Sequence, residues 1–287
     1  MTDRLRIESG SFAAEVDPVG ARAASIVHRR TGTEFLLQTP WRDEHWDGAY
    51  PPTRSDEEWH RRYPGGWHTL VPHSGGSRAV DGVEHPFHGE AAWRRWRTVA
   101  VEAASCTLEI VLRTAPLTVR RHLRATGTGV AVHQSVVNQA AAETAFGWTE
   151  HPAFGEALIG PDTTVRIGDD PVDAHFPEEG EPHGGFREVP AEGRPTVAVR
   201  NAAKGTEAAL RFDPELFPYV HLWQEHRKTL GFPWWGLTDT VALEPASQPY
   251  EWGGEALGTI VLPGRARIEA DFDLELRAGP RTARKGR

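Results

Sequence analysis

The chain has 287 residues and carries 32 Lys and Arg against 40 Asp and Glu, a formal net charge of −8. This acidic balance argues against general nucleic-acid binding, which needs basic side chains to neutralise phosphates. The single cysteine, Cys106, excludes an internal disulfide framework and a zinc site made of several cysteines. No apolar run approaches the roughly 18 residues of a membrane helix and no apolar signal region is present, so we expect a cytoplasmic protein without membrane contact.

Alternation of apolar and polar residues dominates the chain and predicts an all-β protein. It predicts strands, in chain order, at Phe12–Val16, Ala24–Val27, Leu108–Leu112, Leu117–Leu123, Val130–Val137, Thr163–Ile167, Thr196–Val199, Ala208–Phe212, Tyr219–Trp223, Thr240–Leu243 and Ala266–Leu276. Strands do not alternate with helices and no glycine-rich phosphate loop is present, which disfavours a parallel α/β fold. The length then favours one large antiparallel β-sandwich domain over residues 1–276.

Three segments depart from this strand pattern. Residues 38–97 hold six of the eleven tryptophans and six histidines. We expect a long aromatic excursion there, with short helical turns at Asp56–Arg62 and Glu90–Arg97. Residues 169–193 are rich in Asp, Glu, Pro and Gly, which predicts a mobile surface loop. Residues 277–287 contain five basic residues and predict a disordered tail.

The first group of residues that could carry chemistry lies inside the aromatic excursion. The pair Gly65-Gly66 lets the backbone approach a ligand closely, and histidines and tryptophans follow it. His85 and His88 have a His-x-x-His spacing that could supply half of a metal site. Each of the two is more often a structural residue in a loop that contains proline.

Two further positions place a titratable side chain at the end of a strand. His151 stands among Trp, Pro and Phe residues, where it is either a turn residue bonded to the backbone or a general acid. Glu244 ends an apolar strand and is followed by proline, so it is either a rim salt bridge or a positioned base. The strand that begins at Tyr219 could line the same cleft.

Five short motifs follow one another in a distinctive order: Gly65-Gly66 with Pro72, His88-Gly89, His151-Pro152 with Phe154, Leu222-Trp223, and Glu244-Pro245. Together they resemble the aldose 1-epimerase (galactose mutarotase-like) family over roughly residues 5–276. The resemblance implies a large antiparallel β-sandwich of the supersandwich type and acid–base catalysis without a metal or cofactor. It also implies that His151 is the general acid, that Glu244 is the general base and that His88 assists at the ring oxygen.

The same resemblance, with the residue types, predicts a set of side chains that contact the sugar: Trp67, His73, Arg78, Trp93, His221, Trp223 and Gln224. Aromatic rings would pack against the C–H face of a sugar, while polar groups would bind its hydroxyls. His73 stands where the family often has Asn, and Arg78 is the candidate for its sugar-contacting arginine. These departures concern the identity of the sugar more than the fold.

The predicted function is interconversion of the α and β anomers of a hexose or modified hexose, by a monomer or a homodimer. Two alternatives stay open at this stage: a non-catalytic sugar-binding or sensing protein on the same fold, and a metal-dependent sugar isomerase or lyase. We expect Glu244 and His151 to face each other across one cleft with room for a pyranose between them. His88 should line that cleft, with Trp93 or Trp67 nearby.

Overall fold

The computed structural model describes residues 3–279 except 45, 47, 50–53, 179–180 and 251. The predicted disordered tail lies, from residue 280 onward, outside the described residues. Helix α1 spans Ser55–Arg62, and short 3₁₀ helices span Glu90–Ala92 and Glu156–Leu158. The strands are β1 Leu5–Glu8, β2 Phe12–Asp17, β3 Arg22–His28, β4 Thr33–Glu34, β5 Trp67–Leu70, β6 Arg78–Val80, β7 Val83–His85, β8 Arg97–Val101, β9 Ser105–Val111, β10 Leu117–Ala125, β11 Gly129–Asn138, β12 Thr144–Phe146, β13 Thr149–Phe154, β14 Thr163–Ile167, β15 Asp170–Val172, β16 His183–Pro190, β17 Thr196–Asn201, β18 Thr206–Arg211, β19 Tyr219–His226, β20 Asp239–Ala246, β21 Ile260–Leu262 and β22 Arg267–Arg277.

Two nine-stranded sheets make up most of the described chain. Sheet A has the order β1-β2-β3-β5-β13-β20-β19-β16, with β4 paired to β3, and sheet B has the order β15-β14-β17-β18-β22-β11-β10-β9-β8. Neighbouring strands in both sheets pair antiparallel. The predicted all-β, antiparallel β-sandwich is therefore confirmed.

The inner faces of the two sheets share one apolar core. Ile26 and Leu243 of sheet A lie in it together with Val132 and Phe272 of sheet B. The strand predicted from alternation at the C-terminal end is present as β22, and its even-numbered residues from 270 to 276 are buried while the odd-numbered ones are exposed. Because each large apolar side chain contributes about 1.5–3 kcal/mol when it is fully buried, this alternation fixes which face of each strand points inward.

A buried ion pair joins the two sheets inside this core. Arg121 on β10 donates to both carboxylate oxygens of Glu150 on β13, at 3.0 and 2.9 Å, and neither side chain is exposed. The indole N–H groups of Trp67 and Trp148 donate to the same carboxylate at 2.7 and 3.0 Å. Removing one partner of such a pair costs about 3–5 kcal/mol, because the remaining charge stays buried.

One prediction for the irregular segments is wrong, and a second is confirmed only in part. Residues 169–193, expected to form a mobile loop, contain β15 and the eight-residue strand β16, which pairs along its length with β19. The strand is the edge of sheet A and has little buried surface, so it lacks an apolar face. The expected helical turns at Glu90–Arg97 shorten to one 3₁₀ turn, after which β8 begins at Arg97.

The aromatic excursion of residues 38–97 is partly regular. Its first predicted helical turn is confirmed as α1. Strand β5, which lies inside the excursion, is a central strand of sheet A, between β3 and β13. Among the described residues, no helix has the length and apolar character required to cross a membrane.

Candidate active site

Four titratable side chains form one row across the middle of sheet A. His68 on β5 is paired with His151 on β13. The register of β13 with β20 places His151 opposite Glu244, and Glu244 is paired with His221 on β19. Since directly opposed residues point to the same side of a sheet, all four side chains lie on the face turned away from sheet B.

Helix α1 and the loop after β7 cover this face. The ring of Trp59 lies 5.1 Å from the ring of His68 and 5.0 Å from that of His88, measured between centroids. The backbone N–H of Phe87 donates to Ser55 Oγ at 3.0 Å, which ties the loop to the first turn of the helix. Acidic residues in the first turn and basic residues in the last favour the helix through its dipole.

A cavity lies between the row and its cover. Its empty space is about 470 Å³, which includes the open mouth. The lining is mostly aromatic and consists of Trp59, His60, Tyr63, Phe87, His88, His151, Phe186, Trp223, Trp234, Glu244 and Tyr250. Aromatic rings with a few polar groups suit a ligand that has both C–H faces and hydroxyls.

His151 and Glu244 form a close pair on the floor of the cavity. His151 Nε2 lies 3.5 Å from Glu244 Oε1, and the two residues are 5% and 4% exposed. They share one cavity as expected, but the expectation of room for a pyranose between them is wrong. They occupy opposed positions on neighbouring strands, where Cβ atoms are about 5 Å apart. A bound sugar would instead lie over both groups.

Burial shifts the pKa values of this pair in opposite directions. It lowers the pKa of His151 to about 4 and raises the pKa of Glu244 well above that of a free carboxyl group. Each shift favours the uncharged form, because desolvation penalises the ionised one. Burial alone thus favours a neutral pair, in which one proton is shared between the carboxyl group and the imidazole.

His88 reaches the same cavity from the loop after β7. The N–H of Gly75 donates to His88 Nδ1 at 3.1 Å, so the neutral ring carries its own proton on Nε2. Burial, and then the neighbouring His151, lower the pKa of His88 well below its usual value. The turn needs glycine at position 89, where φ is +74° and a Cβ would lie 2.7 Å from the Val71 carbonyl. His88 is thus held as a neutral hydrogen-bond donor.

Of the seven residues predicted to contact the sugar, Trp223 lines the cavity. Two others point away because side chains alternate along a strand. Trp67 is next to His68 and faces the core, where it binds Glu150. Gln224 is next to Trp223 and donates instead to the His175 carbonyl at 2.9 Å. The prediction that these two residues contact the sugar is therefore wrong.

The other four predicted contacts are not among the residues that line the cavity. Trp93 donates from its indole N–H to the Phe87 carbonyl at 2.6 Å and supports Trp59, so it is near His88 as expected but in a second layer. His221 is fully buried and its Nε2 lies 3.2 Å from the Gln248 carbonyl oxygen. Neither residue is part of the lining.

His73 and Arg78 belong to the loops around β6 and β7. His73 is fully buried with its Nδ1 3.1 Å from the Ser74 carbonyl oxygen. Arg78 donates to the carbonyls of Trp252 and Gly254 at 3.4 and 2.6 Å. Neither residue belongs to the cavity lining, so the structure does not place them against a sugar.

Several lining residues could not be found from sequence motifs. Tyr63, the residue after α1, is 2% exposed, and its hydroxyl has no hydrogen-bond partner among the described residues. Burial, and then the charge of Glu244, raise its pKa well above 10. Trp59, Trp234 and Phe186 contribute rings from three separate segments. Their one signal in the sequence is the excess of aromatic residues.

The His-x-x-His pair does not converge. The ring of His85 packs against His73 at 5.9 Å between centroids, whereas His88 turns to His151, also at 5.9 Å. In the part of the chain that the structure describes, no group of three or more His, Cys, Asp or Glu side chains is arranged to hold a metal ion. The expected absence of a catalytic metal stays a prediction.

Neither a family model nor a curated protein sequence matches the chain. Solved structures do match it along nearly its whole length. A galactose mutarotase-like protein from Lactobacillus casei ATCC 334 is 18% identical, with a TM-score of 0.69, over 96% of this chain and 100% of its own. The chain has the galactose mutarotase-like fold. A galactose mutarotase related enzyme from Lactobacillus acidophilus is 16% identical, with a TM-score of 0.69, over 96% of this chain and 98% of its own.

Proposed function

We propose that the protein is an aldose 1-epimerase that interconverts the α and β anomers of a hexose. The observation that carries the proposal is the pair of His151 and Glu244, 3.5 Å apart on the floor of an aromatic cavity. In a pyranose the ring oxygen and the anomeric hydroxyl are both bonded to C1, so the acid and the base that serve them must be close neighbours. The names of the similar structures, galactose mutarotase-like and galactose mutarotase related, support the same reaction.

The single proton held by the pair is sufficient for the whole cycle. When a sugar binds, the proton passes from the Glu244 carboxyl to His151, which leaves a carboxylate and an imidazolium. Glu244 takes the proton of the C1 hydroxyl, His151 gives its proton to the ring oxygen, and the C1–O bond of the ring breaks to leave an aldehyde. Rotation about C1–C2 and closure on the other face return both protons. Each positioned acid or base typically contributes about 10²–10⁴-fold.

Neutral donors and aromatic rings complete the site. The Nε2–H of His88 is available to the ring oxygen or to a neighbouring hydroxyl, because Nδ1 is occupied by the Gly75 N–H. The ring of Trp223, 6.1 Å from that of His151 between centroids, would pack against a C–H face. Glu244, His151, His88 and Trp223 are the four residues that we retain from the sequence prediction.

The direct test is anomer exchange measured by saturation-transfer NMR across a panel of aldoses, with the uncatalysed rate subtracted. Saturable acceleration by the wild-type protein is expected for at least one hexose. Saturable binding of the same sugars without any acceleration would establish the alternative, a sugar-binding protein on this fold.

The turnover rate should not fall as the pH is lowered from 7 to about 5.5. The competent pair holds one proton, and it gains a second only near the His151 pKa of about 4. It loses its proton only above the raised pKa of Glu244. We therefore expect no loss of kcat between pH 7 and about pH 5.5, measured on protein shown to be folded at each pH. A limb with a pKa near 6.5, as in a solvent-exposed imidazole, would contradict the shared proton.

Tyr63→Phe should change activity and stability in opposite directions. The hydroxyl is buried without a partner among the described residues and lies within the electrostatic reach of Glu244. Because we expect it to donate to the bound sugar, its loss should lower kcat/KM about tenfold. The free energy of unfolding should stay the same or rise slightly, since an unsatisfied polar group is removed. Unchanged kcat/KM in NMR exchange would show that Tyr63 only packs.

A further inference from the structure

Two exposed aromatic rings stand at the mouth of the cavity. Phe186 is 42% exposed and Tyr250 is 37% exposed, although both line the cavity. Their ring centroids are 4.1 Å apart. The backbone N–H of Tyr250 donates to Glu188 Oε2 at 2.7 Å, which ties this loop to β16, the strand that carries Phe186. The pair is therefore a fixed apolar surface that opens to water.

The depth of the cavity gives a bound sugar one orientation. The proton-transfer groups His151 and Glu244 are about one-twentieth exposed, and they lie at the bottom. A pyranose whose C1 and ring oxygen contact them turns its opposite edge, C3 and C4, toward the mouth. Substituents on C3 or C4 would then leave the cavity beside Phe186 and Tyr250.

The residue types at the mouth indicate the chemical class of such a substituent. Of the described residues that line the cavity, none is Lys or Arg, the side chains that pair best with a phosphate or a sulfonate. Exposed aromatic faces instead suit the C–H face of a sugar ring. Resting on the proposed function, we propose that Phe186 and Tyr250 form an outer subsite for a second sugar ring. The preferred substrates are then neutral reducing disaccharides linked through C3 or C4 of the reducing unit.

The test compares three sugars with the same reducing glucose: glucose itself, cellobiose, whose second ring is linked to C4, and gentiobiose, whose second ring is linked to C6. NMR exchange should give a higher kcat/KM for cellobiose than for either of the others. Phe186→Ala should lower the cellobiose-to-glucose ratio of kcat/KM about five- to tenfold. Phe186→Tyr, which keeps the ring, should keep the ratio, and Phe186→Leu should not.

Leu230→Ala is the matched control, because Leu230 is 75% exposed and is not part of the cavity lining. It should leave the ratio unchanged. Exchange that is catalysed with equal efficiency for all three sugars, and a ratio unaffected by Phe186→Ala, would overturn the subsite while leaving the proposed function intact. If Phe186→Ala changes the sedimentation coefficient but not the cellobiose-to-glucose ratio of kcat/KM, the outer subsite is refuted. Phe186 would then contact a second copy of the chain.

The outer subsite can also be tested if the protein does not catalyse anomer exchange. If no sugar shows accelerated exchange, calorimetric titration with cellobiose and glucose still tests the subsite. Tighter binding of cellobiose that is lost in Phe186→Ala and retained in Phe186→Tyr would support an outer sugar site on a protein without turnover. Equal binding of the two sugars in the wild type would refute it.

Discussion

Glu244→Gln should slow anomer exchange by about 10²-fold or more while the protein stays folded and binds the sugar. The amide has nearly the size of the carboxyl group, and it removes a buried ionisable group, so stability should change little. It cannot hold or accept the shared proton, so His151, 3.5 Å away, loses its partner in the relay. The measurement is NMR exchange on the purified variant, with its affinity for the sugar measured separately by calorimetry.

His151→Asn should produce a loss of similar size, and the double variant should be little slower than either single one. Both residues serve one proton, so their effects do not multiply. Multiplying losses would mean that the two groups act in separate steps. They would then not form the single relay that we propose.

Glu225→Gln is the matched control for the change in the carboxyl group. Glu225 is as buried as Glu244, at 4% exposed, but its oxygens accept hydrogen bonds from the N–H and hydroxyl of Thr229, at 2.9 and 2.8 Å. It is not part of the cavity lining. The control should retain wild-type turnover. Wild-type turnover in Glu244→Gln would remove Glu244 from the mechanism.

Alternation could predict a strand only where one face is buried and the other is wet. Strand β22 meets that condition and is present where the sequence places it. Strand β5 is buried on both faces and β8 on neither, so neither shows the alternation of apolar and polar residues. Strand β16 is mostly exposed, and for the same reason its sequence predicts a loop. Alternation does not predict these three strands, because the side chains on their two faces are buried to a similar extent.

The sequence predicts which residue types form the site better than it predicts which side of the sheet each side chain faces. His151 and Glu244 could be named from motifs, and the sheet register brings them together. Successive side chains along a strand face the cavity and the core in turn, so an error of one position reverses the assignment. The spacing of motifs is not precise enough to avoid that error. This is why Trp67 and Gln224 were assigned to the sugar, although His68 and Trp223 are their outward-facing neighbours. Tyr63 depends in addition on where helix α1 lies over the sheet.

Acid should destabilise this protein steeply below about pH 6.5. Burial lowers the pKa of five histidines that are nearly or fully enclosed: His68, His73, His88, His151 and His221. For three of these, His73, His151 and His221, the folded pKa is about 4, against 6.5 for the free side chain. Between those two values the unfolded chain binds more protons than the folded one. The free energy of unfolding therefore falls as the pH falls.

The expected slope is large. Each such histidine contributes about 1.4 kcal/mol per pH unit in this window, so the three with a folded pKa of about 4 contribute about 4 kcal/mol per unit. The raised pKa values of Glu244 and Glu34 act in the opposite sense, because there the folded state holds the extra proton. Two carboxyls oppose five histidines, so the net effect is loss of stability. From pH 6.5 to pH 5 a slope of about 4 kcal/mol per unit removes about 6 kcal/mol, which is comparable with the lower end of the typical stability of about 5–15 kcal/mol.

Urea unfolding at pH 7, 6 and 5 measures this slope, and His73→Asn isolates one contribution to it. His73 lies outside the cavity with its Nε2 buried and unpartnered among the described residues, so activity should not obscure the result. The variant should reduce the slope by about 1.4 kcal/mol per pH unit. Leu230→Ala, at a position that is 75% exposed and carries no ionisable group, should leave the slope unchanged. Equal slopes in the wild type and in His73→Asn would mean that burial does not lower the pKa of His73 in the folded state. The argument that burial lowers the pKa of His151 would then lose its support.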